Sequence, residues 1–171
     1  MRILGVTASS YGEYTSFESI ATAVVGSGGT TSVTFSSIPS TFAHLQIRAF
    51  LKIQSYGEIT LNSGSYARRH YVYGNGSSAA AGSDTANAVF ASASTYYYAT
   101  ILDLLDYNST NKNRTYRVLN GGDNNGSGVI HLFSALDTTT TGTNSITITG
   151  TGGGSFAQYS HFALYGIKGA A

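Results

Sequence analysis

The chain of 171 residues contains no cysteine and no tryptophan, a single proline, and little charge: Asp, Glu, Lys and Arg together make up 10% of it. Each shortage excludes something. Without cysteine there are no disulfides and no thiolate metal sites. That fits synthesis in a reducing compartment, and it equally fits a particle that must later survive in any redox environment. No apolar run approaches the roughly 18 residues of a membrane span, so no membrane partner is expected. The opening Met1-Arg2-Ile3-Leu4-Gly5-Val6-Thr7-Ala8 has an apolar stretch shorter than the roughly 7 to 15 residues of a signal-peptide core, and is not read as one. With 9 basic and 8 acidic residues the net charge is +1, far from the basic stripe that nucleic-acid binding needs. An average soluble domain is about 25% charged, and a net charge well away from zero keeps such domains apart. This chain lacks that protection, so its expected state is assembled with other chains.

What replaces the charge is Gly, Ser, Thr, Asn and 13 Tyr, arranged with the two-residue beat of strands. From Ala43 to Gln54, Leu45, Ile47, Ala49, Leu51 and Ile53 alternate with His44, Gln46, Arg48, Phe50, Lys52 and Gln54, which predicts a long strand with one buried face. Val33 and Phe35, Ile59 and Leu61, and Ile146 and Ile148 repeat the pattern. Four segments are more apolar: 98–107, 116–120, 129–135 and 159–167. These are expected to be central strands covered on both faces. Glycine-rich punctuation at Gly26–Gly29, Gly74–Gly76, Asn120–Gly126 and Gly150–Gly154 separates the runs; the first is read as a hairpin loop, and all supply the positive φ that tight reversals need. The stretch 79–93, rich in Ala and Ser, lacks an apolar stripe and is read as a loop with a short strand near Val89 and Phe90. Many short strands with such turns predict one all-β domain, a sandwich or barrel.

Reactive groups are few. His44, His70, His131 and His161 show no zinc-pair spacing; three of them fall in predicted strands, where packing is their expected role. Asp103 and Asp106 stand three apart in a predicted strand, so they point to opposite faces and do not pair across a substrate. They are expected near the strand's end, bonded to backbone or to Arg114 or Arg117. Asp123-Asn124-Asn125-Gly126 begins like a calcium loop, but the twelfth position is Ser134 in place of an acidic ligand, and a turn between strands is expected. No catalytic, metal-binding or cofactor-binding residue is assigned.

Tyrosine is the more informative surface residue. It offers a large contact area with few rotors to freeze and a hydroxyl that tolerates water. Tyr11, Tyr14, Tyr96 and Tyr97 are assigned to a subunit interface. Loops around Tyr66–Tyr73 and Tyr96–Tyr98 are the alternative, glycan-stacking surface.

Several strings together carry a resemblance: Ser16-Phe17-Glu18-Ser19-Ile20-Ala21-Thr22 running into Val25-Gly26-Ser27-Gly28-Gly29, Ser37-Ile38-Pro39-Ser40-Thr41-Phe42-Ala43-His44 continuing to Arg48, Asp123–Gly128, and Phe156-Ala157-Gln158-Tyr159-Ser160-His161 continuing to Lys168. From Phe17 to Gly169 the chain resembles a family of small structural proteins of tailed bacteriophages. The resemblance implies a single antiparallel β-sandwich of jelly-roll type over 17–171, preceded by an N-terminal arm at 1–16. It also implies a non-enzymatic virion component. The expected role is a capsid cement or decoration protein, usually a homotrimer, bound to the major capsid protein on the outer surface of the head. The alternative is a tail-fibre or minor tail protein that recognises host surface glycan. Arg2, Ile3, Leu4 and Val6 of the arm are expected to reach a neighbouring subunit or the shell beneath.

Overall fold

The alternation in 43–54 is realised as a strand whose apolar set is buried. In the computed structural model, which describes residues 16–62, 67–87, 89–123 and 125–169, Leu45, Ile47, Ala49 and Leu51 of β3 (His44–Leu51) face the core. Ile53 lies just beyond, in an isolated bridge to Phe156. The strands on either side are β1 (Phe17–Val24), β2 (Ser32–Phe35), β4 (Gly57–Leu61), β5 (Ala67–Gly74) and β6 (Ala79–Thr85). They continue with β7 (Val89–Ala91), β8 (Tyr98–Leu105), β9 (Arg114–Asp123), β10 (Gly128–Asp137), β11 (Ile146–Gly150) and β12 (His161–Ile167).

Two antiparallel sheets pack face to face. One has 8 strands in the order β1-β12-β3-β8-β9-β10-β5-β6, the other 4 in the order β2-β11-β4-β7. Strand pairs nest as β1 with β12, β2 with β11, β3 with β8 and β4 with β7. A chain doubled back on itself and rolled into two sheets is the jelly roll. Two hairpins interrupt it: β5–β6 is inserted between β4 and β7, and β9–β10 between β8 and β11. Both add to the edge beyond β8, so the large sheet outgrows the small one, whose edge strand β7 packs against β8 and β9.

Side chains from both inner faces fill the space between the sheets. Leu45, Ile47, Phe162 and Leu164 of the large sheet meet Val33, Phe35, Ile59, Leu61, Ile146 and Ile148 of the small one, and the Phe156 ring stands edge-on to Phe162 at 5.2 Å. Each such side chain contributes about 1.5–3 kcal/mol when fully buried. This layer holds the roll together.

The root of each inserted hairpin carries an Arg–Asp pair across directly opposed positions. In β9–β10, Arg114 and Asp137 are register partners, joined at 2.5 Å with both side chains wholly buried. The same guanidinium donates to the carbonyls of Tyr107 and Thr141, while Thr139 donates to Asp137 from its backbone N–H at 2.9 Å. In β5–β6, Arg69 lies opposite Asp84 and forks onto it at 2.7 and 3.0 Å, with a third bond to the Asn87 carbonyl. Inserts are thus fastened where they leave the roll.

Six expectations are corrected. The segment 79–93 holds the expected short strand as β7, but the rest is no loop: β6 forms there because pairing with β5 imposes it, and a side chain at Gly82 would collide with the Tyr71 hydroxyl. Gly26–Gly29 is not a hairpin loop, because β1 and β2 belong to different sheets and the chain crosses between layers there. Gly121 and Gly122 are strand residues of β9 and take no part in a turn. All four histidines lie in strands. Asp106 sits past the end of β8 at φ 49° and binds Lys112 at 2.5 Å, while Asp103 accepts from Gln46 at 2.7 Å. Arg114 is taken by Asp137. Finally, β8, β9, β10 and β12 lie inside the sheet but are fully buried on one face only.

Candidate functional site

That uncovered face is the most unusual surface of the molecule. Side chains alternate across a strand, so direct register partners share a face. Ala81, Val72, Leu132, Leu119 and Ile101 stand opposite one another through five successive strands. Beside them runs a second row: Ala79, Gly74, Ile130, Gly121, Ala99 and Phe50. Neither row contains a charge between β6 and β8. Ile130 is 59% exposed, Val72 51%, Leu132 46% and Leu119 44%. Single exposed apolar residues are ordinary, but a contiguous field of them marks an interaction site.

Glycine shapes the second row. Gly74 and Gly121 flank Ile130 and leave no side chains beside it, which opens a trough of about 570 Å³ floored by Ala99, Ile101, Leu119 and Ile130. A Cβ on Gly121 would come within 3.0 Å of the Val129 carbonyl. The trough is therefore fixed by backbone packing.

On the other half of the same face the polar groups satisfy one another. Arg48 donates to Gln46 at 2.7 Å, and Gln46 donates to Asp103 at 2.7 Å. The Arg48 guanidinium also lies over the rings of Phe17 and Tyr165, 5.6 and 5.8 Å from their centroids, a favourable placement for a cation. The apolar half has no such internal partners.

Of the residues assigned from sequence, Arg2, Ile3, Leu4, Val6, Tyr11 and Tyr14 lie outside the described residues, as does Tyr66. Tyr96 and Tyr97 are half-buried against their own chain. Tyr97 stacks on Phe50 at 5.4 Å, receives Lys52 over its ring at 5.3 Å and donates to the Gln158 carbonyl. It thereby borders the apolar field at Phe50. Tyr96 packs edge-on to Tyr98, which is buried and donates to the Ser92 carbonyl; burial pushes its hydroxyl pKa up. Tyr71 and Tyr73 are in β5, on the opposite face to Val72. Tyr98 is therefore closed to a glycan.

Under the inserted hairpins an aromatic layer replaces the missing strands of the small sheet. Tyr73 and Phe133 pack on His131 at 5.3 and 5.6 Å, and Tyr71 packs on Phe133 at 5.7 Å. Burial lowers the pKa of His131 below its ordinary 6.5. An imidazole that stays neutral in the fold but takes up a proton when unfolded makes stability fall as pH drops below that value, with full stability above it. Between pH 7 and pH 5, denaturant titration should show a larger loss for the wild-type chain than for His131→Asn. Equal losses would remove this layer as the origin.

Among the described residues no cluster of three His, Cys, Asp or Glu side chains is placed to hold a metal ion. Asp123 instead caps its own turn, accepting from the Gly126 N–H at 2.9 Å. No protein-family model, no curated protein and no solved structure matches this chain.

Proposed function

We propose that this chain is a non-enzymatic structural protein of a tailed-phage virion, a cement or decoration protein that binds the outer surface of the head as an oligomer and stabilises the shell. It would be made in the bacterial host cytoplasm and act on the particle. The observation that carries this reading is the charge-free apolar field on the large sheet, from Val72 to Ile101. A surface of that kind costs solubility unless something covers it. The low overall charge points the same way, since it leaves little repulsion between neighbouring copies. The resemblance to phage structural proteins supplies the particle on which such copies would assemble. Many weak contacts repeated over a shell give lasting attachment, because each added copy or site multiplies avidity.

Copy number tests the reading directly. Purified virions resolved by quantitative gel should hold this chain in proportion to the major capsid protein. A handful of copies per particle would favour the tail-protein alternative, and absence from the virion would end both.

A further inference from the structure

Among the described residues the large sheet has two free edges, and they are built differently. A bare edge offers unpaired N–H and C=O groups to any other strand, and proteins blunt this with bulges, charges, proline or short strands. At the β1 edge the register slips between Ser19 and Ala21, and Glu18 holds Lys168 at 3.1 Å. The edges of the small sheet are short, with 4 residues in β2 and 3 in β7. By contrast β6 runs for 7 residues, Ala-Ala-Ala-Gly-Ser-Asp-Thr, in unbroken register with β5. It has no proline, no lysine and no bulge. Its one charge, Asp84, is already neutralised by Arg69.

The hairpin turn sets which groups point outward. Asn75 N–H donates to the Ser78 carbonyl at 3.1 Å, so that pair is a bonded one. In an antiparallel ladder bonded and non-bonded pairs alternate. Ala79, Ala81, Ser83 and Thr85 therefore direct their N–H and C=O groups away from β5. The side chains of Ala79 and Ala81 also carry the two apolar rows to the last strand of the sheet.

We propose that β6 is the contact between two copies of this chain, pairing antiparallel with its own equivalent across a two-fold axis centred near Ala81. The strand suits itself as partner. Its side chains are small, so nothing projects to hold a second strand off. Its lone acidic group has its counter-ion within its own chain, so two copies meet without like charges opposed. With Ala81 facing Ala81, the row Ile101–Leu119–Leu132–Val72–Ala81 runs unbroken from one copy into the next. Main-chain bonds then supply affinity and the alternate side chains supply register. An isologous contact closes at two copies, in place of the three that the resemblance implies. The pairing is independent of the virion reading.

The test uses the whole chain. Sedimentation equilibrium should give twice the 17.9 kDa chain mass. Ala81→Lys should weaken association at least about tenfold, the effect of roughly 1.4 kcal/mol. Ser83→Pro removes one outward N–H and no bond to β5, and should act likewise; circular dichroism checks its folding, and Ala81→Lys stands if it fails. Since the chain has no cysteine, Ala81→Cys should be joined into a dimer by a short bis-maleimide cross-linker, because the opposed Cβ atoms of a bonded pair stand about 5.5 Å apart, too far for a direct disulfide. A single-chain or three-chain mass, a dimer indifferent to Ala81→Lys, or no cross-link from Ala81→Cys would overturn the pairing. Wild type that dimerises but coats no particle would end the virion reading and leave the pairing in place.

Discussion

Arg114→Met will destabilise the folded chain by roughly 3–5 kcal/mol, the usual cost of stripping one partner from a wholly buried ion pair. The midpoint of guanidinium unfolding is the measurement. The substitution leaves the Asp137 carboxylate without its counter-ion at a site with no access to water, and the Thr141 carbonyl loses its donor, while the Tyr107 carbonyl keeps the Thr143 N–H at 2.8 Å. For that reason Arg114→Met/Asp137→Leu should recover only part of the loss. The apolar pair removes the stranded charge but cannot satisfy the Thr141 carbonyl, worth about 1–3 kcal/mol when orphaned. Arg69→Met, at the root of the other hairpin, should cost no more than about 1 kcal/mol, because the Asp84 carboxylate left behind is partly exposed and water takes over from Arg69. If Arg114→Met and Arg69→Met cost the same, the buried pair does not fasten the insert as described.

On the proposed reading, Leu132→Asp will abolish attachment to the particle while leaving the free chain folded. Leu132 lies at the middle of the apolar row, between Val72 and Leu119, and is 46% exposed, so a carboxylate there remains hydrated in the isolated chain. Once the row is covered, the same carboxylate is buried without a partner. Central interface positions commonly contribute about 2 kcal/mol or more, and an uncompensated charge adds to this, so affinity should fall on the order of a hundredfold or beyond. Co-sedimentation with undecorated heads reads the loss, and thermal melting verifies the fold. Tyr159→Asp, at a 70% exposed position on the loop before β12, is the control and should bind normally. Equal binding by Leu132→Asp and wild type would place the shell contact elsewhere.

Both variants act on residues whose roles differ in how far sequence reveals them. The strand of Leu45, Ile47 and Leu51 is legible because one face is apolar and the other polar, and a period of two leaves no other fold for it. Leu119, Ile130 and Leu132 sit in segments whose polarity announces two apolar faces, which in a soluble sheet implies a layer on each side. Here the described residues supply no second layer. Periodicity records what a residue would bury against without saying whether the partner is another layer or another molecule. The Arg114–Asp137 pair left no local signal either: 23 residues separate them, and only the β9–β10 register brings them together. The strand at Ala79–Thr85 was hidden for a related reason, since its small side chains carry no pattern and β5 imposes the conformation.

Composition and alternation by themselves determined an all-β chain of little charge, with one buried face in the strands whose residues alternate, such as β3. These are local properties, set by side-chain polarity and backbone sterics over a few residues. The tertiary structure alone decided that two inserted hairpins widen one sheet past the other, so that an apolar face and a plain strand edge are left open. That outcome depends on which distant strands become neighbours. Pairing free energy is gained only after the chain between them has closed, so no short window of residues records it.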